Sequence, residues 1–371
     1  MATILAETPA AAPAAGRPKA ATEDRYVSLD AYRGLIMILL ISVGFGFGAL
    51  KGHPVYGLMA AQFDHVPWEG MVFWDLVQPA FMFMVGAAMP FAIARRIERG
   101  ATFRQNLWHV GGRSLKLLLL SQVLASVSAG EPRFQLINVL CQIAFTYFFC
   151  FLIMHMQFRW QAATAGLILA GHWALFALLP GPEGPFSRTG NIGQVVDLAV
   201  LGKTYSGYYI TINFISSTVT TLFGVWTAML LRSERKQGQK LKILAAFTLG
   251  CLALGLALTP FNPMVKRIWT ASFTLFSAGW VLLGMLAFVW LIEVKGYRKW
   301  AFPMVVVGMN CIFIYSFKFV LGGWVRRSLA VFTRNFEFIG TLAPVAQACA
   351  TLLVLWYLCY WLWRRKIFVK L

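Results

Sequence analysis

Charged residues are scarce in this sequence of 371 residues: they make up 13% of it, whereas apolar and aromatic residues make up 59%. A soluble domain typically contains about 25% charged residues. Too few polar groups are therefore present to cover a water-facing surface, which argues against a soluble globular protein. Instead, apolar stretches of about 18 residues or more, long enough to cross a bilayer as a helix, recur along most of the chain.

Two further absences limit the fold classes and the kinds of site that this sequence can form. The apolar stretches do not alternate with polar residues, which argues against a transmembrane barrel built from strands of about 10 residues. The six cysteines all fall within apolar segments and show no CxxC or metal-ligand spacing. We therefore expect neither a disulfide framework nor a metal site.

Acidic residues are also few: 14 Asp and Glu stand against 33 Lys and Arg, which gives a formal charge of +19. In a soluble protein such an excess would suggest nucleic-acid binding. Here the basic residues lie mostly in short segments between apolar stretches, where they act as a topology signal. We therefore expect a lipid bilayer, and no nucleic acid, as the partner of this surface.

The sequence predicts an all-α polytopic membrane protein with about ten transmembrane helices in one domain, residues 25–371. Residues 1–24 are polar and rich in Ala and Pro, which indicates a disordered cytoplasmic tail and not a signal peptide. The predicted spans lie near residues 31–50, 71–94, 110–128, 136–156, 161–180, 208–231, 241–259, 269–293, 302–323 and 340–363.

The distribution of basic residues predicts the orientation of these spans. With the N-terminus inside, the inner segments carry about twice as many Lys and Arg residues as the outer segments. The positive-inside rule therefore places both termini in the cytoplasm, and we expect a multi-pass protein of a bacterial inner membrane. Long outer loops, such as 181–207, would then cover the bundle, which suggests a site open to the outside.

Chemically useful side chains gather before and at the start of the second predicted span. His65 lies beside Asp64, Trp68 and Glu69, and Asp75 follows. Histidine exchanges a proton near neutral pH, which suits a general base. A carboxylate at membrane depth is costly unless it is paired or hydrated, so Asp75 is a functional candidate. Structural alternatives remain open, namely an interfacial loop with an aromatic anchor and an ion pair between Asp75 and a basic residue.

A second group of candidates lies near the inner ends of the first and third spans. Arg113 and Lys116 share one helix face, and Arg33 lies one turn inside the first span. The three together could bind phosphate, although snorkelling of Arg33 to the membrane surface explains it equally well. Polar residues within spans, such as Asn213 and Asn310, are typical of contacts between helices. These features fit both a transporter and an enzyme.

Several short motifs stand in order along the chain. They are SLDAYRG at 28–34, HVPWEG at 65–70, an Asp-to-Gly segment at 75–86, Thr-Ile-Asn at 211–213, Pro-x-x-Lys-x-x-Trp-x-x-Ser at 263–272 and Gly-Met-Asn-x-x-x-x-Tyr at 308–315. In this order they resemble the heparan-α-glucosaminide N-acetyltransferase family over roughly residues 25–320. Two positions depart from the family: Gly44 stands where it often has Asn, and Gln142 where it has Arg.

The resemblance implies transmembrane acyl transfer from cytoplasmic acetyl-CoA, as cosubstrate, to an amino sugar or other glycan on the outer face. It maps the family's catalytic histidine to His65, which would act as a general base or carry the acetyl group. We predict that Asp75, Asn213 and Asn310 assist, with the amides stabilising the oxyanion. The predicted CoA-binding residues are Arg33, Arg113 and Lys116, and the predicted acceptor-binding residues are Asp64, Trp68, Glu69, Lys266 and Trp269.

Two other functions compete with this prediction. A transporter or flippase would use the same polar groups to move a glycan or small molecule, but the inverted halves typical of transporters are not evident in the sequence. A structural membrane protein would need none of them. The histidine with its Trp and Gly favours the acyltransferase. A homodimer is compatible with the sequence.

Overall fold

The structure, a computed structural model, describes residues 26–333 and 339–369, so the predicted tail at 1–24 lies outside the described residues. The described residues form helices joined by loops, with two isolated β-bridges and no longer strand. This confirms the predicted all-α class. The helices are α1 (Val27–Ser42), α2 (Gly57–Gln62), α3 (Val77–Glu98), α4 (Phe103–Ala129), α5 (Val139–Ile153), α6 (Phe158–Leu178), α7 (Ile192–Leu201), α8 (Asn213–Arg232), α9 (Gln237–Leu258), α10 (Ala271–Phe288), α11 (Phe302–Gly308), α12 (Cys311–Thr333) and α13 (Ala343–Arg364).

Eight helical stretches of the described chain are long and apolar enough to cross a membrane, which confirms an integral multi-pass membrane protein. They are Val27–Leu50, Phe73–Glu98, Phe103–Ala129, Phe158–Leu178, Asn213–Arg232, Gln237–Leu258, Ala271–Val294 and Ile339–Arg364. Each includes or extends a helix named above, sometimes with an adjoining 3-10 or π turn.

Two of the ten predicted spans differ from a regular transmembrane helix. The helical stretches Lys299–Gly308 and Cys311–Thr333 are bent by 66° relative to each other, and together they count as at most one broken span. The segment predicted at 136–156 forms α5, whose 15 residues are fewer than the about 20 that cross the hydrocarbon core. By length and composition, the described chain therefore has eight or nine spans where about ten were predicted.

Helices α3 and α8 form the centre of the bundle and touch through glycines. A Cβ atom at Gly86 would lie 1.8 Å from the Thr221 carbonyl oxygen, and one at Gly224 would lie 1.9 Å from the Phe83 carbonyl oxygen. Small residues let two helix backbones approach each other within a membrane, where packing drives association. This close contact fixes the start of α3, which leads directly from the candidate site.

The start of α1 and the ends of α3 and α8 meet at one end of the bundle. The Tyr26 hydroxyl donates to the Leu231 carbonyl at 2.5 Å, and the Arg232 guanidinium donates to the Pro90 carbonyl at 2.8 Å. We call this the basic end, after Arg232 and the arginines that finish α3. His65 lies beyond the far end of α1, at what we call the His65 end. Which end faces the cytoplasm stays a prediction.

Gly44 occupies the turn that follows α1. Its φ is +68°, a left-handed conformation that favours glycine, and a Cβ atom there would lie 3.2 Å from the Phe63 carbonyl oxygen. The chain then continues as the 3-10 helix Gly44–Leu50 and α2 before it returns to Phe63. Gly44, one of the two positions that depart from the resemblance, thus lies in a crowded turn. This turn packs against Phe63, two residues before His65.

Candidate active site

The segment that carries His65 is tied to a second segment about 200 residues away. Glu69 forms an isolated antiparallel bridge with Val265, and the Gly70 N–H donates to the Met264 carbonyl at 2.8 Å. Backbone pairing of this kind fixes the two segments relative to each other. It explains how two motifs far apart in sequence contribute to one site.

Trp68 and Arg267 add side-chain contacts to this pairing. The Trp68 indole N–H donates to the Phe186 carbonyl at 2.9 Å, so it anchors the loop under the long connection before α7. The Arg267 guanidinium donates to the carbonyls of Val66 and Pro67. These two residues lie between His65 and Trp68. Trp68 and Glu69, two of the predicted acceptor residues of this loop, therefore also hold the loop in place.

Trp269 closes the turn that follows Lys266. Its side chain is fully buried, its φ is +63°, and its indole N–H donates to the Thr220 hydroxyl at 3.1 Å. Left-handed backbone at a bulky residue is uncommon and persists only where the surroundings fix it. The structure thus gives Trp269, predicted to bind the acceptor, a buried position against α8.

His65, Asp75 and Lys266 form a compact cluster at the start of the second span. The Nδ1 atom of His65 lies 2.6 Å from Oδ1 of Asp75, and Nζ of Lys266 lies 3.2 Å from that oxygen and 3.3 Å from Nδ1. The exposed fractions of the side chains are 43% for His65, 1% for Asp75 and 6% for Lys266. The charged pair is therefore buried, while the imidazole faces outwards.

The contacts of Asp75 assign the tautomer of His65. The carboxylate accepts from Lys266 through Oδ1 and from the Val72 N–H through Oδ2 at 3.3 Å, both of which favour its ionised form. A nitrogen 2.6 Å from an ionised carboxylate oxygen must carry a proton, because two lone pairs would repel. The Nδ1 atom of His65 is therefore the donor, and Nε2 keeps its lone pair for chemistry.

The pocket beside this cluster is small. It is lined by His65, Val66, Trp68, Asp75, Tyr209, Lys266 and Arg267. Its cavity volume of about 10 Å³ is close to what one water molecule requires. A sugar or a thioester therefore does not fit inside this pocket as it stands, whereas the His65 ring beside it is partly exposed.

A buried row of amides runs from the site into the bundle. The Gln78 amide donates to Gln142 at 2.6 Å, Gln142 donates to Asn213 at 3.3 Å, and Asn213 donates to the Arg267 carbonyl at 3.4 Å. Asn213, predicted as catalytic, thus contacts the turn that carries Lys266. Gln142, where the resemblance leads one to expect Arg, has an amide partner on each side.

Gln78 is a residue that the sequence analysis missed. It lies one turn after Asp75 within the apolar second span. Its position three residues after a carboxylate in an apolar span could have identified Gln78 from sequence, because buried polar groups in membranes need partners.

Asn310 lies away from His65, at the basic end. Its amide donates to the Ile367 carbonyl at 3.1 Å and accepts from the Val369 N–H at 3.0 Å. Two residues earlier, the Gly308 carbonyl accepts from the Arg33 guanidinium near the start of α1 at 2.8 Å. The structure therefore does not bring Asn310 to His65. Asn310 holds the C-terminal segment instead.

The three predicted CoA-binding residues have different neighbours. Arg33 pairs with Asp30 at 2.8 Å, and the Arg113 guanidinium lies over the Tyr147 ring at 4.8 Å. Lys116, one turn after Arg113, is exposed. The Nε atom of Arg113 is buried and has no hydrogen-bond partner in the described part of the chain. The structure thus does not show the three cations converging on one point.

Asp64, the last predicted acceptor residue, pairs with Lys51 on the surface of the loop. The hydrogen bond from Lys51 lowers the pKa of the Asp64 carboxyl below its usual value. Asp64 is therefore charged at neutral pH and points its charge towards Lys51, not into the Asp75 cluster. Across residues 26–333 and 339–369, no group of three or more His, Cys, Asp or Glu residues is placed to hold a metal ion.

The chain is similar in sequence to curated proteins that carry a name. The chain is 23% identical to the human heparan-alpha-glucosaminide N-acetyltransferase over 358 residues, which cover 78% of this chain and 52% of the human protein. It is 23% identical to the mouse heparan-alpha-glucosaminide N-acetyltransferase over 359 residues, with 79% and 53% covered. No model of a protein family matches the chain.

The chain spans about half the length of these relatives. The similarity nevertheless extends over more than three quarters of the chain itself, and therefore over most of its helices. It confirms the resemblance that the order of the motifs predicted: the chain is similar in sequence to the heparan-alpha-glucosaminide N-acetyltransferases.

Proposed function

We propose that this protein is a transmembrane acyltransferase that moves an acetyl group from acetyl-CoA at the basic end to an acceptor at the His65 end. The observation that carries the proposal is the exposed imidazole of His65, whose Nδ1 is held by the buried carboxylate of Asp75. The similarity to N-acetyltransferases supports the reaction class. The acceptor class that fits best is an amino sugar or another glycan, in a bacterial inner membrane.

The proposed reaction uses Nε2 of His65 as a general base. It takes a proton from the acceptor amine or hydroxyl while that nitrogen or oxygen attacks the thioester carbonyl. The carbon–sulfur bond then breaks, the acetyl group stays on the acceptor, and the CoA thiolate receives the proton from the imidazolium. Asp75 keeps the ring oriented throughout and stabilises the transient positive charge.

The covalent variant uses the same nitrogen as the nucleophile. Nε2 attacks the thioester, the carbon–sulfur bond breaks, and CoA leaves as the thiolate while the acetyl group stays on His65. The acceptor amine or hydroxyl then attacks this acetyl group, the bond between the acetyl carbon and Nε2 breaks, and the proton that the acceptor releases balances the charge of the CoA thiolate. The geometry supports both variants, because each requires a free lone pair on Nε2 and a proton on Nδ1.

We further propose that Arg113 binds a phosphate of CoA, with Arg33 and Lys116 as weaker candidates. Arg113 keeps a buried N–H without a partner, and a charge-assisted bond to phosphate would satisfy it. Arg33 is already engaged by Asp30, and Lys116 is exposed. The amides Gln142 and Asn213 lie in the bundle, where one of them could donate to the thioester oxygen.

The test is CoA release from acetyl-CoA by the detergent-purified protein, with a panel of amino sugars and glycans as acceptors. We expect His65→Ala to lose about 10²- to 10⁴-fold in turnover, the usual contribution of a positioned base. His53→Ala is the matched control, because His53 is a loop histidine near the same end of the bundle that bonds only local backbone. Equal turnover in His65→Ala and wild type would remove His65 from the mechanism.

One observation favours the alternative of a transporter or flippase. The span Lys299–Gly308 and Cys311–Thr333 is broken by a bend of 66°, and broken helices are common at transporter binding sites. Against it, Asn310 at the break is bonded to the C-terminal segment. Movement of a labelled glycan across vesicles without any chemical change would favour this alternative, whereas appearance of an acetylated product would favour the enzyme.

A further inference from the structure

Lys266 brings a buried positive charge to the His65–Asp75 pair. Its Nζ lies within hydrogen-bond distance of both Oδ1 of Asp75 and Nδ1 of His65, and its side chain is 6% exposed. Lys266 lines the small pocket, but its ammonium is directed at Asp75 and the His65 ring. The geometry therefore argues against a primary role in binding the acceptor.

The position of Lys266 is fixed by its own turn. The Thr270 hydroxyl donates to the Pro263 carbonyl at 2.7 Å and accepts from the Val265 N–H at 3.0 Å. The buried Trp269 and the bridge from Val265 to Glu69 hold the turn on both sides. The fixed backbone of this turn therefore holds the Lys266 ammonium beside Asp75.

The electrostatic consequence follows from the signs of the charges. A carboxylate beside an imidazole orients the ring but also attracts a second proton to it. Lys266 balances the charge of Asp75, so the ring keeps its orientation without facing a net negative charge. A positive charge about 3 Å away also disfavours a second positive charge on the imidazole.

We propose that Lys266 is a positioning residue that neutralises the charge of Asp75, so that the carboxylate orients the His65 ring without placing a net negative charge beside it. This inference rests on the proposed function of His65 and adds to it the group that balances the charge beside the imidazole. It replaces the expectation from sequence that Lys266 binds the acceptor.

Other charged and titratable groups face His65 from each neighbouring segment, and none takes the place of Lys266. Asp64 accepts a bond from the His65 backbone but is paired with Lys51, and Arg267 donates to loop carbonyls. Tyr209 lines the same pocket. Within the described chain, Lys266 is the cation whose contact with Nδ1 lies within hydrogen-bond distance.

The test compares the pH dependence of kcat/KM in a set of charge variants. In Lys266→Met the carboxylate of Asp75 is unbalanced, protonation of His65 becomes easier, and the acidic limb should move to higher pH by about one unit. Lys266→Arg keeps the charge and should stay near the wild-type limb. In Asp75→Asn the unpaired ammonium should move the limb to lower pH, with a fall in kcat.

The double variant Asp75→Asn, Lys266→Met removes both charges and is the decisive control. It should return the acidic limb to within a few tenths of a pH unit of wild type, because the two effects cancel. It also leaves no unbalanced buried charge, so it remains informative if Lys266→Met alone fails to fold. Two opposite shifts that add to nearly zero in this cycle are what the proposal predicts.

A second measurement needs no turnover. Diethyl pyrocarbonate modifies uncharged imidazole, and the rate at His65, identified by its absence in His65→Ala, is followed against pH. The midpoint should shift upwards by about one unit in Lys266→Met and return in the double variant. If wild type shows no acyl transfer but these midpoints shift, the proposed function fails while the role of Lys266 stands.

The opposite pattern would overturn the inference. Unchanged midpoints and an unchanged acidic limb in both Lys266→Met and Asp75→Asn would show that the ammonium does not act on the imidazole. A rise in KM for the acceptor with a fixed acidic limb would return Lys266 to the acceptor-binding role predicted from sequence.

Discussion

Asp75 has a central position among the residues of the site. Its carboxylate receives donors from three segments of the chain: the Val72 N–H, the His65 ring and the Lys266 ammonium. It is 1% exposed, so each of these bonds lies outside bulk water. One buried acid therefore decides the tautomer of the histidine and holds the lysine.

Removal of Asp75 should therefore damage stability as well as activity. Asp75→Ala leaves the ammonium of Lys266 buried without its partner, and such a loss typically costs about 3–5 kcal/mol. We expect this decrease in the free energy of unfolding when the protein is unfolded chemically in detergent micelles. Asp75→Ala combined with Lys266→Met should recover part of it, because no unpaired charge remains.

The matched control is the Lys51–Asp64 pair in the neighbouring loop, whose side chains are 59% and 45% exposed. Because water screens it, Lys51→Ala should cost less than about 1 kcal/mol. The pKa of Asp64 is lowered by this pair, so its small contribution is present at neutral pH and is lost as the pH falls through the lowered pKa. A loss in Lys51→Ala as large as in Asp75→Ala would contradict the distinction between the pairs.

At this scale, sequence could identify groups but not their partners. His65 and Asp75 were predicted from their types and the motif, and the alternative that Asp75 pairs with a basic residue agrees with the structure. Lys266 was predicted to bind the acceptor, which stays a prediction. Its contact with Asp75 could not be predicted, because it depends on tertiary structure that no local pattern shows. Gln78, Tyr209 and Arg267 were missed for the same reason.

Among the elements, the contact between α3 and α8 sets the position of the site, because α3 begins directly after Asp75. The approach at Gly86 leaves no room for a methyl group, since a Cβ atom would lie 1.8 Å from a backbone oxygen of α8. We expect Gly86→Ala to lower the free energy of unfolding by about 1–3 kcal/mol, as overpacking does.

Gly250 in α9 provides the control for this substitution. A Cβ atom there meets no heavy atom within 4 Å among the described residues, so Gly250→Ala should be neutral or slightly stabilising. The stabilities of the two variants are compared by thermal unfolding in the same detergent. A Gly86→Ala variant as stable as Gly250→Ala would show that α3 and α8 do not approach as closely as described.

The break between α11 and α12 has a separate prediction. Asn310 holds the C-terminal segment through the backbone of Ile367 and Val369, so Asn310→Ala should release that segment. The measurement is the rate at which a maleimide labels an Ile367→Cys reporter, which should rise several-fold. Asn262→Ala is the control, because the buried Oδ1 of Asn262 has no partner among the described residues; an equal rate in both variants would contradict the contact.

The elements themselves were largely predictable, since each predicted span overlaps a helix. Each of the two exceptions has a physical cause. Asn138 caps α5 by accepting from the Cys141 N–H at 3.1 Å, which starts that helix later than its apolar stretch. The bend after Gly308 accompanies the bonds of Asn310 to a segment 57 or more positions away, which hydropathy does not report.

For the whole molecule, the two ends of the bundle must face opposite sides of the membrane. Positions 62 and 236 are exposed and lie near the His65 end and at the basic end, respectively. Single cysteines at these positions should react with an impermeant maleimide from opposite sides of sealed vesicles. The native cysteines are buried or half-buried and should give a low background, and labelling of both positions from one side would overturn the orientation.

The most direct measurement of the central claim is acetyl transfer across a sealed membrane. The protein is reconstituted in liposomes, acetyl-CoA is supplied only on the side that the basic end faces, and the amino-sugar acceptor is enclosed on the other side. We expect an acetylated product in the acceptor compartment for wild type and none above background for His65→Ala. A product formed only when donor and acceptor share one compartment, or formed equally by His65→Ala, would contradict it.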